Sequence, residues 1–217
     1  MPAPSAADKP VLYGDVFWIS PYFFTAFVAA REKGVALEVK ELSLPRKEHR
    51  TEDFQNRSLT GRIPTLKHGD FWLAESNIIA DYLDEAFQGP RLYPEDLRER
   101  SRARQLMAWI RSDLMPVREE RPTYTMFYER SQKPLSAKGQ EAAQTLIRVA
   151  GLAVPEGQST LFKSWCIADA DLAFVLQRLI LNGDEVPARL RAYAEAQWKR
   201  PSVREFCERK RPPYEAY

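Results

Sequence analysis

Thiols and imidazoles are scarce in this chain of 217 residues: it has two cysteines, Cys166 and Cys207, and two histidines, His49 and His68. Two cysteines build no disulfide framework, and this small set shows no zinc-ligand spacing, so the expectation is a reducing compartment and no metal. Long apolar runs are missing too. No segment approaches the roughly 18 consecutive apolar residues of a membrane span, and the opening MPAPSAADKP lacks the apolar core of a secretory leader. Neither sign of charge dominates, since 32 Lys and Arg face 30 Asp and Glu for a net +2. That balance exerts no general pull towards nucleic acid or an anionic membrane. Repeats and low-complexity tracts are also absent. What is present, 44% apolar and 29% charged residues, is the balance of a globular, cytoplasmic protein of one large domain or two small ones.

The hydrophobic period changes near residue 90. Before it, strand-like runs alternate with helical ones. Val11-Leu12-Tyr13 is β-branched and aromatic and ends at Gly14-Asp15, a strand followed by a turn. Ser20-Pro21 has the form of a helix start, Ser as N-cap and Pro at the first helical position. Phe24, Phe27, Val28 and Arg31 continue that helix until Lys33-Gly34 stops it. Leu37-Glu38-Val39-Lys40 alternates as a half-buried strand. After a long connection, Pro64-Thr65-Leu66 and Phe71-Trp72-Leu73 flank His68-Gly69-Asp70 as a hairpin. Ser76 then precedes Ile78, Ile79, Tyr82, Leu83 and Phe87 on one helical face.

Beyond the break at Gln88-Gly89-Pro90 nearly everything reads as helix. Ala103, Leu106, Met107, Ile110, Leu114 and Val117 form a stripe whose end Pro116 should bend or interrupt. Further helices are expected across Leu135–Val149, from about Ala168 to Leu181 with Asn182-Gly183 as the stop, and near Pro187–Trp198 and Pro201–Arg209. The pattern predicts a small α/β domain followed by a helical one.

Four motifs in order, Ser20-Pro21-Tyr22, Arg62-Ile63-Pro64-Thr65-Leu66, Glu75-Ser76-Asn77-Ile78-Ile79 and Cys166-Ile167-Ala168-Asp169, make the chain similar to the cytosolic glutathione transferases, particularly their bacterial serine-type members. The resemblance covers essentially the whole chain. It implies a thioredoxin-like N-terminal domain, residues 1–91, that binds glutathione, and an all-helical C-terminal domain, residues 92–217. It also implies a homodimer, reduced glutathione as co-substrate, and a small electrophile or peroxide as the second substrate.

The implied roles have physical reasons. A helix N-terminus offers unpaired N–H groups and the positive end of the dipole, which stabilise an anion such as a thiolate. A free thiol has a pKa of about 8.5, and lowering it by two units takes roughly 2.7 kcal/mol of preferential thiolate stabilisation. By the resemblance Ser20 donates its hydroxyl proton to the glutathione sulfur without being a nucleophile itself; Tyr22 and Tyr13 are rival hydroxyls. Pro64 would be a cis-proline that exposes the backbone of Ile63 to the glutathione peptide, as an added strand would be. Ser76 would cap its helix and bind the γ-glutamyl carboxylate, with Glu75 accepting from the γ-glutamyl amino group. Arg62, Lys47 and His49 are candidates for the glycyl carboxylate. Cys166 stands where the family has Ser or Thr, a poorer cap, and is expected to be buried.

Where glutaredoxins carry Cys-Pro-Tyr-Cys, this chain reads Ser20-Pro21-Tyr22-Phe23, so dithiol exchange there has no nucleophile. Conjugation, peroxide reduction or isomerisation remain, all driven by the sulfur of glutathione. The co-substrate pocket would lie between the domains, with Tyr22, Trp109, Met115 and Tyr124 as walls, joined by Phe127 and Tyr128. The same aromatic residues equally suit core or dimer packing. Arg111, Arg118 and Arg121 would take an anionic substrate or lie on a solvated face. Two rival readings stay open: a protein-interaction module without catalysis, and a glutathione-dependent isomerase.

Overall fold

The chain is seen in a computed structural model that describes residues 8–216. Of the opening stretch inspected for a leader, residues 1–7 lie outside the described part. Two units are distinct: the described residues up to Leu92 together with those from Glu205 on, and Tyr93–Arg204.

In the first unit β1 (Val11–Asp15) runs into α1 (Pro21–Lys33) and returns as β2 (Glu38–Leu42), parallel to β1 with Val11 opposite Glu38. A parallel pair needs such a crossover, and α1 supplies it. The connection to β3 (Thr65–His68) is not bare loop; it holds a 3-10 turn (Glu48–Arg50) and α2 (Glu52–Ser58). β4 (Phe71–Ala74) completes the hairpin around Gly69, and α3 (Ser76–Ala86) follows. Strand order is β2-β1-β3-β4, with β3 antiparallel to both neighbours. Leu12 and Leu66 are buried, as are Ile79 and Leu83 of α3, which packs beside α1.

Local rules set the limits of α1. Ser20 caps it, Pro21 opens it, and Gly34 at φ 76° closes it in the left-handed conformation that glycine adopts without penalty. Gly14, expected at a turn, is still within β1, and a side chain there would meet the Phe23 ring at 2.4 Å. A buried pair, Lys33 Nζ to Asp84 Oδ1 at 2.8 Å, ties the end of α1 to α3, and Asp84 also accepts from the Leu92 amide.

The residues after Glu205, read from sequence as part of the helical domain, group with the sheet unit. Phe206 contributes to this: it is fully buried against Trp18, Phe23, Phe24 and Phe27, with ring centroids 5.2–5.9 Å apart. Burial among these rings removes the large apolar side chain of Phe206 from water.

The second unit is helical: α4 (Leu97–Ser112), α5 (Met115–Glu120), α6 (Tyr124–Phe127), α7 (Ala137–Ala153), α8 (Ile167–Ile180), α9 (Ala188–Trp198) and the start of α10 (Pro201–Cys207). The stripe through Val117 is not one helix. Asp113-Leu114 interrupts it, Leu114 at φ 62°, and Pro116 sits in the first turn of α5, where its missing N–H costs nothing. α8 is buried on every side rather than on one face, including Asp169, Asp171, Gln177 and Arg178. Asp171 pairs with Arg111 at 2.6 Å, and the Arg178 guanidinium donates to the Arg121 carbonyl. No helix among the described residues is long and apolar enough to cross a membrane.

Asp96 caps α4, its Oδ1 accepting from the Arg98 and Glu99 amides at 2.9 Å each. Asp96→Ala is expected to lower stability by about 1 kcal/mol, the usual worth of such a cap; urea denaturation reads it, and an unchanged midpoint would show the cap to be idle.

Candidate active site

The sheet brings three segments to one end. Tyr13 near the end of β1 stands opposite Thr65 at the start of β3, and Thr65 stands opposite Ala74 at the end of β4. The stretches 15–20, 62–64 and 75–76 therefore all leave the sheet at the same end. These carry Ser20, the Arg62-Ile63-Pro64 run and the Glu75-Ser76 pair.

The first segment is tightly held. The Trp18 amide donates to the Asp15 carbonyl at 3.1 Å, and Trp18 adopts φ 52°, left-handed backbone that a bulky residue rarely takes. The Asp15 carboxylate, completely buried, accepts from Ile19 N at 3.1 Å and Ser20 N at 3.0 Å. Burial pushes its carboxyl up from the ordinary value, while those amides pull it down. Ser20, half-buried, accepts from Phe23 N at 3.2 Å through Oγ. A hydroxyl accepts and donates at once, so its proton remains to be given elsewhere. Tyr13, a rival hydroxyl by sequence, is instead part of an aromatic cluster, stacked on Trp72 at 5.2 Å and edge-on to Phe54. Tyr22 is half-buried in the first turn of α1.

The second segment contains a cis Ile63–Pro64 bond. Both ladders of β3 begin at Thr65, which leaves Ile63 outside them. Arg62 is exposed, and its carbonyl accepts from the Thr65 hydroxyl at 2.7 Å.

The third segment differs from expectation. Ser76 does not cap α3; it is the first helical residue, and Glu75 occupies the cap position at φ 70°, ψ 111° with no side-chain cap bond. Ser76 is buried and Glu75 exposed. A left-handed non-glycine residue directly before a helix is strained backbone, and such strain concentrates at functional sites. Asn77 Oδ1 beside them is buried and meets no hydrogen-bond partner among the described residues.

Of the basic candidates, Lys47 and His49 belong to the connection between β2 and α2. His49 is half-buried, and burial together with neighbouring Arg50 pushes its pKa down, which keeps it neutral near pH 7.

Trp109, Met115 and Tyr124, the walls expected from the second unit, have different surroundings. Trp109 lines a groove of about 530 Å³ with Arg102, Leu106, Leu152 and Phe162. Met115 and Tyr124 are not among its walls: Met115 is exposed, and Tyr124 stacks on Tyr128 at 5.5 Å and donates to Glu129. Phe127 packs against Phe174. The arginines offered for an anionic substrate serve the helices. Arg111 holds Asp171, Arg118 donates to the Arg111 carbonyl, and Arg121 makes a two-pronged buried contact with Asp184 at 2.7 Å.

Cys166, as expected, is buried. Burial and the adjacent Asp169 push its thiol far above the ordinary range, and Cys207 is pushed up to about 12 by burial. Neither is a thiolate at neutral pH. Asp169 accepts from Cys166 N at 2.9 Å, from Leu161 N and from the Tyr193 hydroxyl, so the carboxylate, more than the weak Cys cap, secures the start of α8.

The family pattern described as the C-terminal domain of glutathione S-transferase matches residues 96–210. This chain belongs to the glutathione S-transferase family. The N-terminal domain pattern of the same family matches residues 19–86, a span that begins one residue before Ser20. A glutathione transferase homologue from Burkholderia, solved with bound glutathione, is 34% identical, with a TM-score of 0.75 over 93% of this chain and 97% of that one. Human glutathione S-transferase theta-2 is 36% identical over 84 residues, which are 38% of this chain and only 34% of that protein. A maleylacetoacetate isomerase from Methylobacterium extorquens, 24% identical at a TM-score of 0.71 over 95% of this chain and 100% of that one, shares the fold. The fold is thus that of the glutathione transferases, a thioredoxin-like domain and a helical one.

Asp15 was not singled out from sequence. An acid after Gly14 at a strand end reads as a turn residue, and only the folded loop shows both carboxylate oxygens turned onto the amides that precede the helix.

Proposed function

We propose that this glutathione S-transferase family member, of the serine-type branch, binds reduced glutathione at the end of the sheet where the three segments converge. There it activates the thiol through Ser20. The observation that carries the reading is the Ser20 side chain at the N-terminus of the 13-residue α1, its oxygen fixed by the Phe23 amide and its proton left to donate. The dipole and the hydroxyl act together: one charge-assisted hydrogen bond of about 1.5–3 kcal/mol with a dipole contribution of about 0.3–1 kcal/mol matches what a depressed thiol pKa requires.

The backbone of Ile63 lies beyond the strand ladders and would pair with the glutathione peptide beside Pro64. Ser76 and the amides at the start of α3 would take the γ-glutamyl carboxylate, and Glu75 the γ-glutamyl ammonium. Arg62, exposed in the same segment, suits the glycyl carboxylate. The thiolate then attacks a small electrophile or a peroxide. Residues 1–91 form the glutathione-binding domain in this reading, and the active protein is a cytoplasmic homodimer. The Burkholderia homologue with its bound glutathione supports the ligand.

Titration of the purified protein with reduced glutathione tests this, following heat of binding and thiolate absorbance across pH. Saturable binding is expected, with the thiol titrating at least one unit below its free value of about 8.5. Binding without a shifted thiol would remove the activating role. Absence of binding at millimolar glutathione would turn the reading to a protein-interaction module.

A further inference from the structure

The loop before α1 is pinned more firmly than a helix cap requires. The peptide joining Trp18 to Ile19 is held at both poles. Its carbonyl accepts from the Arg211 guanidinium, Nη2 at 3.1 Å and Nε at 3.3 Å, and its N–H donates to Asp15 at 3.1 Å. The next peptide gives its N–H, that of Ser20, to the other Asp15 oxygen at 3.0 Å. Two consecutive peptide planes are therefore fixed immediately before the serine. Arg211 is itself anchored through the carbonyls of Phe206, Cys207 and Arg209.

The choice of a carboxylate needs explaining. Asp15 is fully buried and faces amides instead of a cation, a costly place for a charge. Two adjacent amide donors require two acceptors on one short side chain. Asparagine offers one acceptor, and its amide nitrogen would confront the second N–H. Aspartate is the side chain of this length that satisfies both.

Resting on the glutathione-activating reading above, we propose that Asp15 is the positioning residue of Ser20. Its carboxylate, with Arg211 gripping the opposite pole of the same peptide, holds the Ser20 backbone at the angles that aim Oγ both at the Phe23 amide and out to the glutathione sulfur. Asp15 touches no substrate; it acts through Ser20 alone.

Such a residue leaves a signature that a merely stabilising one does not. Asp15→Asn, Ser20→Ala and the double variant are compared with the parent by heat of glutathione binding and by thiolate absorbance across pH. Asp15→Asn is expected to bind glutathione within about threefold of the parent while the bound thiol titrates about one unit higher. Asp15→Asn added to Ser20→Ala is expected to move the thiol no further, because coupled residues are non-additive. An unshifted thiol in Asp15→Asn, or a shift that adds in full to that of Ser20→Ala, would overturn the proposal. Should Asp15→Asn not fold, amide exchange in the parent decides: protection of Ile19 and Ser20 equal to the interior of α1 supports the clamp, and unprotected rates sink it. A parent that binds glutathione without depressing its thiol fails the activating reading first, before any variant is made, and takes this proposal with it.

Discussion

Ser20→Ala is expected to raise the thiol pKa of bound glutathione by about one to two units and to reduce turnover about ten- to a hundredfold near neutral pH, with affinity for glutathione little changed. Alanine removes only part of what stabilises the thiolate. The dipole of α1 and its backbone N–H groups survive, because Pro21 and Gly34 still bound the helix. Only the charge-assisted hydroxyl bond is lost, about 1.5–3 kcal/mol. The sign follows from which state the hydroxyl favours. A donor to the thiolate stabilises the deprotonated form, so its loss moves the pKa up and shrinks the thiolate fraction at fixed pH. Alanine also removes the cap that satisfies the Phe23 amide, at about 1 kcal/mol of stability. Unbinding and inactivation are therefore separated by measuring the heat of glutathione binding alongside initial rates. A variant whose thiol titrates as in the parent would assign activation to the backbone of α1 alone.

The second large effect belongs to a residue far from Ser20 in sequence. Phe206→Ala is expected to destabilise the first unit by about 3–5 kcal/mol, the cost of emptying a buried phenylalanine site that cannot collapse. Collapse is hindered because the cavity would be walled by buried Phe24 and by Trp18, Phe23 and Phe27, which are buried and packed on one another. The same change reaches the site. Trp18 lies in the loop that leads to Ser20, its indole donates to Glu41 at 2.8 Å, and Arg209 covers its ring at 4.0 Å while pairing with Glu41. Glutathione affinity should fall with stability. Urea denaturation gives the first quantity and titration the second, and a loss below about 1 kcal/mol would show the aromatic cluster to be dispensable.

Both predictions depend on contacts of very different reach, and so does what sequence alone could decide. Ser20-Pro21 and Gly34 delimit α1 because caps act within one turn of the chain, and the residue types carry the rule themselves. The hairpin around Gly69 is likewise local, its two strands separated by a short turn. The ordered motifs sufficed for the family and the two-part architecture. Where the rule depended on a single backbone angle, local reading slipped: Ser76 looks like a cap, yet Glu75 takes that position at φ 70°; Pro116, expected to bend or interrupt the stripe, marks its interruption, in the first turn of a new helix. The long-range decisions were out of reach altogether. Asp15 becomes a clamp only when the loop folds over it, and the residues from Glu205 on join the sheet unit through contacts such as that of Phe206 with four rings, the nearest of them 179 residues earlier in the chain. Nothing in the periodicity near residue 206 marks that destination, because burial there is set by surfaces contributed from the other end of the chain.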